Sequence, residues 1–177
     1  MKNPSNKSKS VPIIRTIVPS EWELYRKIRL RALKDSPDAF GSTFEREVMI
    51  PDDGWQRRLS DNTNPDLDLP LFAEVDGEPV GLAWGRINRS DPKIANLYQM
   101  WVAPEHRGLG IGRMLVDAVI SWARERSAEY LDLGVTCGDT PARRLYERAG
   151  FVPSGIPEPL RPGSEVLCQF MLLTLIF

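Results

Sequence analysis

A glycine-rich connection between a predicted strand and a predicted helix is the best candidate for a ligand-binding element. Residues 97–113 read LYQMWVAPEHRGLGIGR, so an apolar segment leads into three glycines that alternate with other residues. Glycines let a backbone approach a ligand closely, and the first free N–H groups of a helix point outward. With the helix dipole, such amides bind a phosphate or pyrophosphate. Arg107 and Arg113 flank the loop and could neutralise the charge of such a ligand.

The spacing of these glycines excludes two familiar phosphate-binding motifs. A P-loop needs G-x-x-x-x-G-K-[ST], and the sequence contains no such string. The dinucleotide fingerprint G-x-G-x-x-G also fails, because its last position falls on Arg113 when read from Gly108 and on Leu115 when read from Gly110. A purely structural role, in a tight connection between strand and helix, stays open as the alternative for this segment alone.

A second segment with chemically capable side chains lies farther along the chain. Residues 139–151 read DTPARRLYERAGF, and helical spacing places Ala142, Tyr146 and Ala149 on one face. A tyrosine on such a face can donate a proton to a ligand. It can equally be a core aromatic whose hydroxyl is hydrogen-bonded within the protein, and the sequence leaves both interpretations open.

Composition narrows the remaining chemistry. The chain has 177 residues, with 23 Lys+Arg against 24 Asp+Glu and a net charge of −1, which argues against a nucleic-acid binder. A single histidine, His106, argues against a histidine-based zinc site or a histidine-dependent triad. Cys137 and Cys168 form no C-x-x-C motif. We therefore expect no metal site.

Hydrophobic periodicity predicts the elements that must position these segments. Strands are expected over residues 13–18, 69–75, 80–87, 94–102, 130–135 and 166–176, with a tight turn at Asp76-Gly77. Helices are expected from a capping box at Ser20 and Glu23 to Pro37, and over residues 53–59, 111–126 and 141–149. Residues 38–47 read as irregular, and Gly150 as a left-handed helix cap. This order predicts a single α/β (α+β) domain with a mixed central sheet flanked by helices.

The two ends of the chain carry their own expectations. Residues 1–10 are polar, with three lysines and no acid, and are expected to be a disordered tail before a domain spanning residues 11–177. That tail lacks the apolar core of a signal peptide, which favours a cytoplasmic location. The apolar run at residues 170–177 is shorter than the roughly 18 residues of a membrane-spanning helix. A buried last strand is therefore expected there.

The two segments, at this separation, resemble motifs of the GNAT superfamily of N-acetyltransferases. Arg107-x-x-Gly110-x-Gly112 resembles that family's acetyl-CoA pyrophosphate motif, R/Q-x-x-G-x-G/A, and residues 139–151 resemble its N-x-x-A-x-x-x-Y-x-x-x-G-F helix. The predicted element order also matches, so the resemblance covers nearly the whole chain after the tail. It implies a GNAT-type mixed sheet. It also implies acetyl transfer from acetyl-CoA to a primary amine of a small molecule or peptide, by direct attack in a ternary complex.

The resemblance further implies roles for individual residues. Backbone amides near Met100 and Val102 would hold the pantetheine arm and polarise the thioester carbonyl, while the following loop would hold the pyrophosphate. The cofactor-binding residues implied are Met100, Val102, Arg107, Gly108, Leu109, Gly110, Ile111, Gly112, Arg113, Asp139, Ala142 and Tyr146. Tyr146 falls at the position of the general acid, and a phenol with a pKa of about 10 suits protonation of a thiolate with a pKa of about 8.5.

One residue departs from the family pattern. The family commonly has Asn where this chain has Asp139. An ionised Asp accepts hydrogen bonds but donates none. Asp139 therefore either contacts the pantetheine arm as an acceptor or caps the helix that follows it.

The general base does not follow from the motifs. Glu74, at the end of the first hairpin strand, is the candidate base, with Glu45 or Glu47 as alternatives. A chain of waters leading to backbone or polar groups is another route for the proton. Tyr98, on the strand before the glycines, either contacts the acceptor or packs in the core.

The acceptor side is implied only as regions. By resemblance, residues 22–44 and 88–93 line it. Arg26, Arg29 and Arg31 lie in the first of these regions, where they could attract an acidic acceptor or simply face solvent.

The partners expected are therefore acetyl-CoA and an amine acceptor, with neither nucleic acid nor membrane. The apolar last strand could pair with another subunit to form a homodimer. Two other functions stay open. One is a non-catalytic acyl-CoA-binding or sensing module of the same fold, and the other is a nucleotide-binding interaction protein.

Overall fold

The structure is a computed structural model that describes residues 10–175. Most of the expected tail, residues 1–9, lies outside the described residues, as do residues 176 and 177 at the end of the chain. Ser10, the last residue of that tail, donates a 2.6 Å hydrogen bond to the carboxylate of Asp76.

The predicted strands and helices occur in the predicted order, with two unpredicted elements, at residues 44–47 and 152–159, inserted among them. The strands are β1 (Ile13–Thr16), β2 (Asp68–Val75), β3 (Glu78–Ile87), β4 (Ile94–Val102), β5 (Tyr130–Thr136), β6 (Val152–Pro159) and β7 (Leu167–Thr174). The helices are α1 (Trp22–Asp35), α2 (Phe44–Glu47), α3 (Asp52–Leu59), α4 (Ile111–Glu125) and α5 (Pro141–Arg148). The predicted fold class, a single mixed α/β domain, is confirmed. None of the helices within residues 10–175 is both long enough and apolar enough to cross a membrane.

One sheet of seven strands organises the described chain, in the order β1-β2-β3-β4-β5-β7-β6. Every neighbouring pair is antiparallel except β4 and β5, which run parallel. Parallel neighbours need a crossover connection, and α4 supplies it. Because α4 begins where β4 ends, the glycine-rich loop lies at the junction of the two parallel strands.

β4 and β5 separate soon after they start. They pair only from Ile94–Asn96 to Tyr130–Asp132, and within residues 10–175 no backbone pairing joins them beyond that point. A bulge in β4 accompanies the separation, since the register with β3 shifts between Leu82 and Trp84 and Gln99 has a φ of +56°. Bulges bend a strand and increase its twist. The result is a wedge whose two inner strand edges keep free N–H and C=O groups.

Small residues let α4 pack closely on one face of the sheet. A Cβ atom on Gly81 would lie 3.2 Å from the Leu115 side chain, and one on Gly85 would lie 3.0 Å from the Trp122 ring. Leu115, Val119 and Trp122 recur at helical spacing along one side of α4, and all three are buried. The helix that carries the glycine-rich loop at its start is thus held rigidly against β3.

Three local expectations were wrong. Helix α1 begins at Trp22, and instead of a Ser20 capping box the Glu21 carboxylate accepts the Val18 N–H at 2.9 Å. The stretch expected to be irregular contains α2, whose first turn is capped by Thr43. Strand β6 was not predicted at all, because its sequence VPSGIPEP carries three prolines and a glycine.

β6 also changes the expected role of the last strand. β7 lies between β5 and β6 and pairs with both, so it is an inner strand of the sheet. Its backbone is therefore not available to pair with a second subunit along either side. The edges of the described sheet are β1 and β6.

Candidate active site

A cleft of about 1380 Å³ opens where β4 and β5 separate. On one side it is bordered by α1 and the segment that leads into α2, and on the other by β5, β7 and the start of α5. Of the residues singled out from the sequence, Met100, Ala142, Tyr146, Glu47, Arg29 and Tyr98 line it.

The glycine-rich loop has the backbone geometry expected of an anion site. Gly108 and Gly110 have φ values of +76° and +82°, a conformation that other residues adopt only with strain. Gly110 is the residue before α4, so the amides of Ile111, Gly112 and Arg113 start a helix and have no acceptor within it. Leu109, between the two glycines, is 63% exposed, so no side chain covers the loop there.

Gly112 brings the two sequence motifs into contact. A Cβ atom at Gly112 would lie 3.1 Å from Leu145 of α5 and 3.4 Å from Met100 of β4. A side chain at Gly112 would push Leu145 and Met100 aside, so glycine favours the close approach of the first turn of α4 to the end of β4 and to α5. This explains why both segments are needed to form one site.

The flanking arginines do not stand free as the sequence suggested. Arg107 donates from Nε to the Val102 carbonyl at 2.9 Å and forms an ion pair with Asp35 at the end of α1. Arg113 pairs with Asp117 at 2.8 Å and donates to the carbonyl of Arg148 at 3.2 Å. Both guanidinium groups already have acceptors. Attraction of an anion here therefore depends on backbone amides and the start of the helix.

Met100 and Val102 lie on β4 beyond the bulge. Val102 pairs with Gly81 of β3 on one side, while the other edge of this part of the strand faces the wedge. Backbone groups on that edge have no partner strand in the described chain. The Val102 carbonyl on this edge already accepts from Arg107, and the other backbone groups there can hydrogen-bond an extended ligand arm.

Tyr146 lies in α5 with its ring buried and its hydroxyl beside the cleft. The ring packs against Phe151, with centroids 5.8 Å apart, and Gly150 has a φ of +98°, which turns Phe151 back onto the helix as predicted. Its hydroxyl has no hydrogen-bond partner among residues 10–175. Burial raises the pKa of the Tyr146 phenol, so the group keeps its proton at neutral pH. A buried ring with an open hydroxyl fits a proton donor better than a satisfied core tyrosine.

Asp139 does not cap α5. The cap of α5 is Thr140, whose hydroxyl accepts the Arg143 N–H at 3.1 Å. The Asp139 carboxylate instead pairs with Arg144 and its side chain is 81% exposed. Asp139 does not line the cleft, whereas Thr140 and Ala142 do. The interpretation of Asp139 as a helix cap is therefore wrong.

Glu74 does not lie with the other candidates. It is buried in β2, its carboxylate pairs with Arg15 at 2.6 Å, and it does not line the cleft. A carboxylate held in this way has neither access to an amine nor a free position for its proton. We therefore do not carry Glu74 forward as the base.

Of the two alternatives to Glu74, only Glu47 reaches the cleft. Its carboxylate accepts hydrogen bonds from Arg29 at 2.9 and 3.2 Å and from Arg58 at 2.8 Å. Burial alone would raise the pKa of Glu47, but the two arginines outweigh it and hold that pKa below its usual value. Glu47 is thus a structural anion rather than a proton acceptor. Glu45 is exposed and away from the cleft.

Two residues of the site were missed or misjudged from the sequence. Gln99, at the bulge, accepts a 2.9 Å hydrogen bond from the hydroxyl of buried Tyr25, which fixes the bulge to α1. Tyr98 is 49% exposed and lines the cleft, so core packing was the wrong choice between its two interpretations. The adjacent polar residues Tyr98 and Gln99, in a strand whose only other polar residue is Asn96, were the available signal.

Comparison with known proteins decides the family. A model of the acetyltransferase (GNAT) family matches residues 29–151, a range that contains both sequence motifs and the whole wedge. The chain belongs to this family. The resemblance found in the sequence is thereby confirmed.

Individual members of the family are moderately similar. The chain is 35% identical over 118 residues to a streptothricin acetyltransferase from Streptomyces lavendulae, covering 66% of this chain and 62% of that protein. It is 31% identical over 140 residues to a mycothiol acetyltransferase from Stackebrandtia nassauensis, covering 78% of this chain and 44% of that protein. The chain therefore spans less than two thirds of the length of either relative.

Among solved structures, one GNAT neighbour contains acetyl-CoA. It is a putative acetyltransferase from Salmonella typhimurium, with a TM-score of 0.77 and 21% identity, covering 95% of this chain and 96% of that one. At this identity the likeness establishes the fold.

Proposed function

We propose that this GNAT protein is an acetyl-CoA-dependent N-acetyltransferase that transfers the acetyl group directly to a primary amine in a ternary complex. The observation that carries the proposal is the wedge between β4 and β5, which brings three features close together. These are the open edge of β4, the unpartnered hydroxyl of Tyr146 in the wall of the cleft, and the start of α4, which adjoins the cleft where Gly112 approaches Met100. Each answers one chemical demand of the reaction.

The first demand is to hold a long anionic co-substrate. Amides of Gly108, Gly110, Ile111 and Gly112 would bind the pyrophosphate, and the free edge of β4 would provide backbone partners for a pantetheine arm. The acetyl-CoA in the Salmonella typhimurium neighbour supports this choice of co-substrate. When bound, acetyl-CoA supplies an activated acetyl thioester.

The second demand is to stabilise charge on the thioester oxygen as the amine attacks. Backbone N–H groups near Met100, beyond the bulge, are fixed by β3 on one side and by the Tyr25–Gln99 hydrogen bond on the other. Donors that are already oriented need no rearrangement when charge develops, which is why they lower the barrier.

The third demand is a proton for the departing thiolate. The Tyr146 phenol keeps its proton at neutral pH and has an open hydroxyl at the cleft. A departing thiolate with a pKa of about 8.5 would take the phenol proton as the C–S bond breaks. Because burial raises the pKa of Tyr146, the phenolate must regain a proton at once, and the proton that the attacking amine loses would reach it through water in the cleft.

A screen of amines with acetyl-CoA tests the proposal. Release of free thiol together with an acetylated product detected by mass supports an acetyltransferase. Stabilisation by CoA without thiol release from any amine would instead favour the non-catalytic acyl-CoA-binding module. Stabilisation by ATP or NAD but not by CoA would overturn both functions.

A further inference from the structure

Arg86 lies in β3 and lines the cleft. Only one edge of its guanidinium group is hydrogen-bonded to other residues between 10 and 175. Its Nε donates to Asp68, whose side chain is fully buried. The same carboxylate accepts a hydrogen bond from the Trp84 indole N–H at 3.0 Å and another from the backbone N–H of Asn64 at 3.0 Å. The Arg86 guanidinium lies 5.7 Å from the centre of the Trp84 ring. These contacts fix the position of the guanidinium group.

The outer end of Arg86 has no partner. Neither Nη1 nor Nη2 makes a hydrogen bond to a residue between 10 and 175, the side chain is 40% exposed, and it lines the cleft. An arginine in this state presents two parallel N–H donors with the spacing of a carboxylate. The planar fork distinguishes a carboxylate from a single acceptor atom.

The charged residues around the Arg86 guanidinium do not neutralise it completely. Glu47 and Asp68, the buried carboxylates near it, are both already engaged by arginines. Arg89 lies on the same wall of the cleft, exposed, and has no ion pair within the described part of the chain. Asp61 also lines this half as an exposed carboxylate, which accepts a hydrogen bond from Ser60 at 2.9 Å.

The other acids of the cleft wall, Asp35 and Asp38, pair with Arg107 and Arg161. Asp132 of β5 lies across Asn96 from Arg86 in the sheet, and it has no ion pair within residues 10–175. Arg86 and Arg89 keep unused donors beside these acids.

The fork lies close to the place where the amine must react. Arg86 is opposite Asn96 in the β3–β4 register, and Trp84 is opposite Tyr98, the residue before the bulge. Two residues along a strand span roughly 7 Å, about the length of an arginine side chain. An acceptor held at Arg86 can therefore be small and still reach the bulge with its amine.

We propose that the acceptor is an amine that also carries a carboxylate, and that Arg86 binds this carboxylate through Nη1 and Nη2 with Arg89 as a second cation at the rim. The inference rests on the proposed acetyltransferase function and names its acceptor class, an amino acid or an amine of similar size. Arg86 is a specificity-determining binding residue and takes no part in the chemical steps.

Matched acceptors test the inference in the full-length protein. Each pair consists of an amino carboxylate and its carboxamide, offered with saturating acetyl-CoA to the wild type and to Arg86→Gln, Arg86→Lys and Arg89→Gln. Arg15→Gln is the control, because Arg15 also pairs with a buried carboxylate on this sheet and contacts an aromatic ring but does not line the cleft. Thermal unfolding of each variant identifies any loss of folding.

The wild type should prefer the carboxylate member by about tenfold or more in kcat/KM, since a hydrogen-bonded charge pair is worth that much. Arg86→Gln should abolish the preference by raising the KM for the carboxylate acceptor, while the KM for acetyl-CoA stays close to that of the wild type. Arg86→Lys should restore it only in part, Arg89→Gln should reduce it by about threefold, and Arg15→Gln should retain it. Equal use of both members by the wild type, or a preference that survives Arg86→Gln, would overturn the inference.

Failure of the proposed function is separable from failure of this inference. If no member of any pair is acetylated, calorimetric binding of the same pairs to the CoA-saturated protein replaces turnover. Carboxylate binding that is lost in Arg86→Gln and kept in Arg15→Gln would support the anion site although the protein is not an acetyltransferase. Equal binding of carboxylate and carboxamide would contradict it.

Discussion

The two halves of the cleft offer a ligand different parts of the chain. The half beside α4 uses the backbone, through the positive φ angles of Gly108 and Gly110 and the open edge of β4. The opposite half uses charged side chains, with Glu47 between two arginines and Arg86 anchored on Asp68. A backbone site serves one constant ligand, whereas a side-chain site can change its specificity one residue at a time. Tyr146 is the exception in the proposed mechanism, because it is a side chain of the cofactor half that would donate a proton.

The largest expected effect concerns that exception. Tyr146→Phe should lower kcat by about 100-fold or more, because a positioned proton donor contributes about 10²- to 10⁴-fold, and it should leave the KM for acetyl-CoA nearly unchanged. Steady-state release of free thiol measures both constants. Tyr130→Phe, a change of the same kind outside the cleft, is the control. An unchanged kcat for Tyr146→Phe would remove this hydroxyl from the mechanism.

The acceptor half should be the more fragile half when a charge is removed. Glu47→Ala leaves the buried guanidinium of Arg29 without its counter-charge and should lower the free energy of unfolding by about 3–5 kcal/mol. Urea denaturation measures the change. Glu45→Ala, two residues away on an exposed position, should change it by less than about 0.5 kcal/mol. Similar effects of the two substitutions would show that the Arg29–Glu47–Arg58 cluster does not stabilise this half.

The same cluster predicts a dependence on acid. The folded-state pKa of Glu47 is held below its unfolded value, so its contribution to stability is complete above the unfolded pKa of about 4.3 and is lost as the pH falls through the folded pKa. The stability difference between wild type and Glu47→Gln should therefore be constant near neutral pH and shrink below pH of about 4. Denaturation curves at several pH values measure it. A difference that grows on acidification would contradict the assignment.

In the cofactor half, backbone conformation should matter more than side chains. Gly110→Ala and Gly77→Ala both place a Cβ in open space at φ values of +82° and +81°, so each should cost about 1–2 kcal/mol of folding stability. Only Gly110→Ala should weaken acetyl-CoA binding, by about five- to tenfold, because Gly77 lies in the β2–β3 turn. Calorimetric titration with CoA makes the comparison. Equal affinity in both variants would show that the loop does not bind the co-substrate.

The smallest effect is expected for an arginine of the same loop. Arg113→Gln should change the affinity for acetyl-CoA by less than about twofold, because its guanidinium is already bonded to Asp117 and to the Arg148 carbonyl. The same titration measures it. A loss of affinity larger than that of Gly110→Ala would reverse the backbone-over-side-chain order proposed for this half.

The contrast between the two halves also explains which features of the site could be predicted from the sequence. Glycines with positive φ directly before a helix have a fixed spacing in the sequence. The loop with Gly108 and Gly110 and the helix α4 were therefore predicted from the sequence. The Gly150 turn at the end of α5 left a similar signal. Such positions admit few residue types, and their pattern survives in a single sequence.

The acceptor half left no comparable pattern. Asp68 ends a stretch rich in Asn, Asp and Pro and reads as a surface residue, yet it is buried under Trp84 and Arg86. The pairing of Glu74 with Arg15 and of Asp139 with Arg144 depends on which side chains meet after folding. Charge and composition do not record such partnerships. These positions are accordingly where the predicted base and the predicted helix cap went wrong.

Backbone recognition of the co-substrate can be measured directly by following amide resonances of isotope-labelled protein during titration with CoA. The largest shifts should fall on Met100, Val102 and the amides from Gly108 to Arg113, while Arg86 and Arg89 should respond only when an amino carboxylate is added afterwards. Shifts confined to other parts of the described chain, such as the β1–β2 edge around Glu74, would contradict the assignment of this half of the cleft to acetyl-CoA.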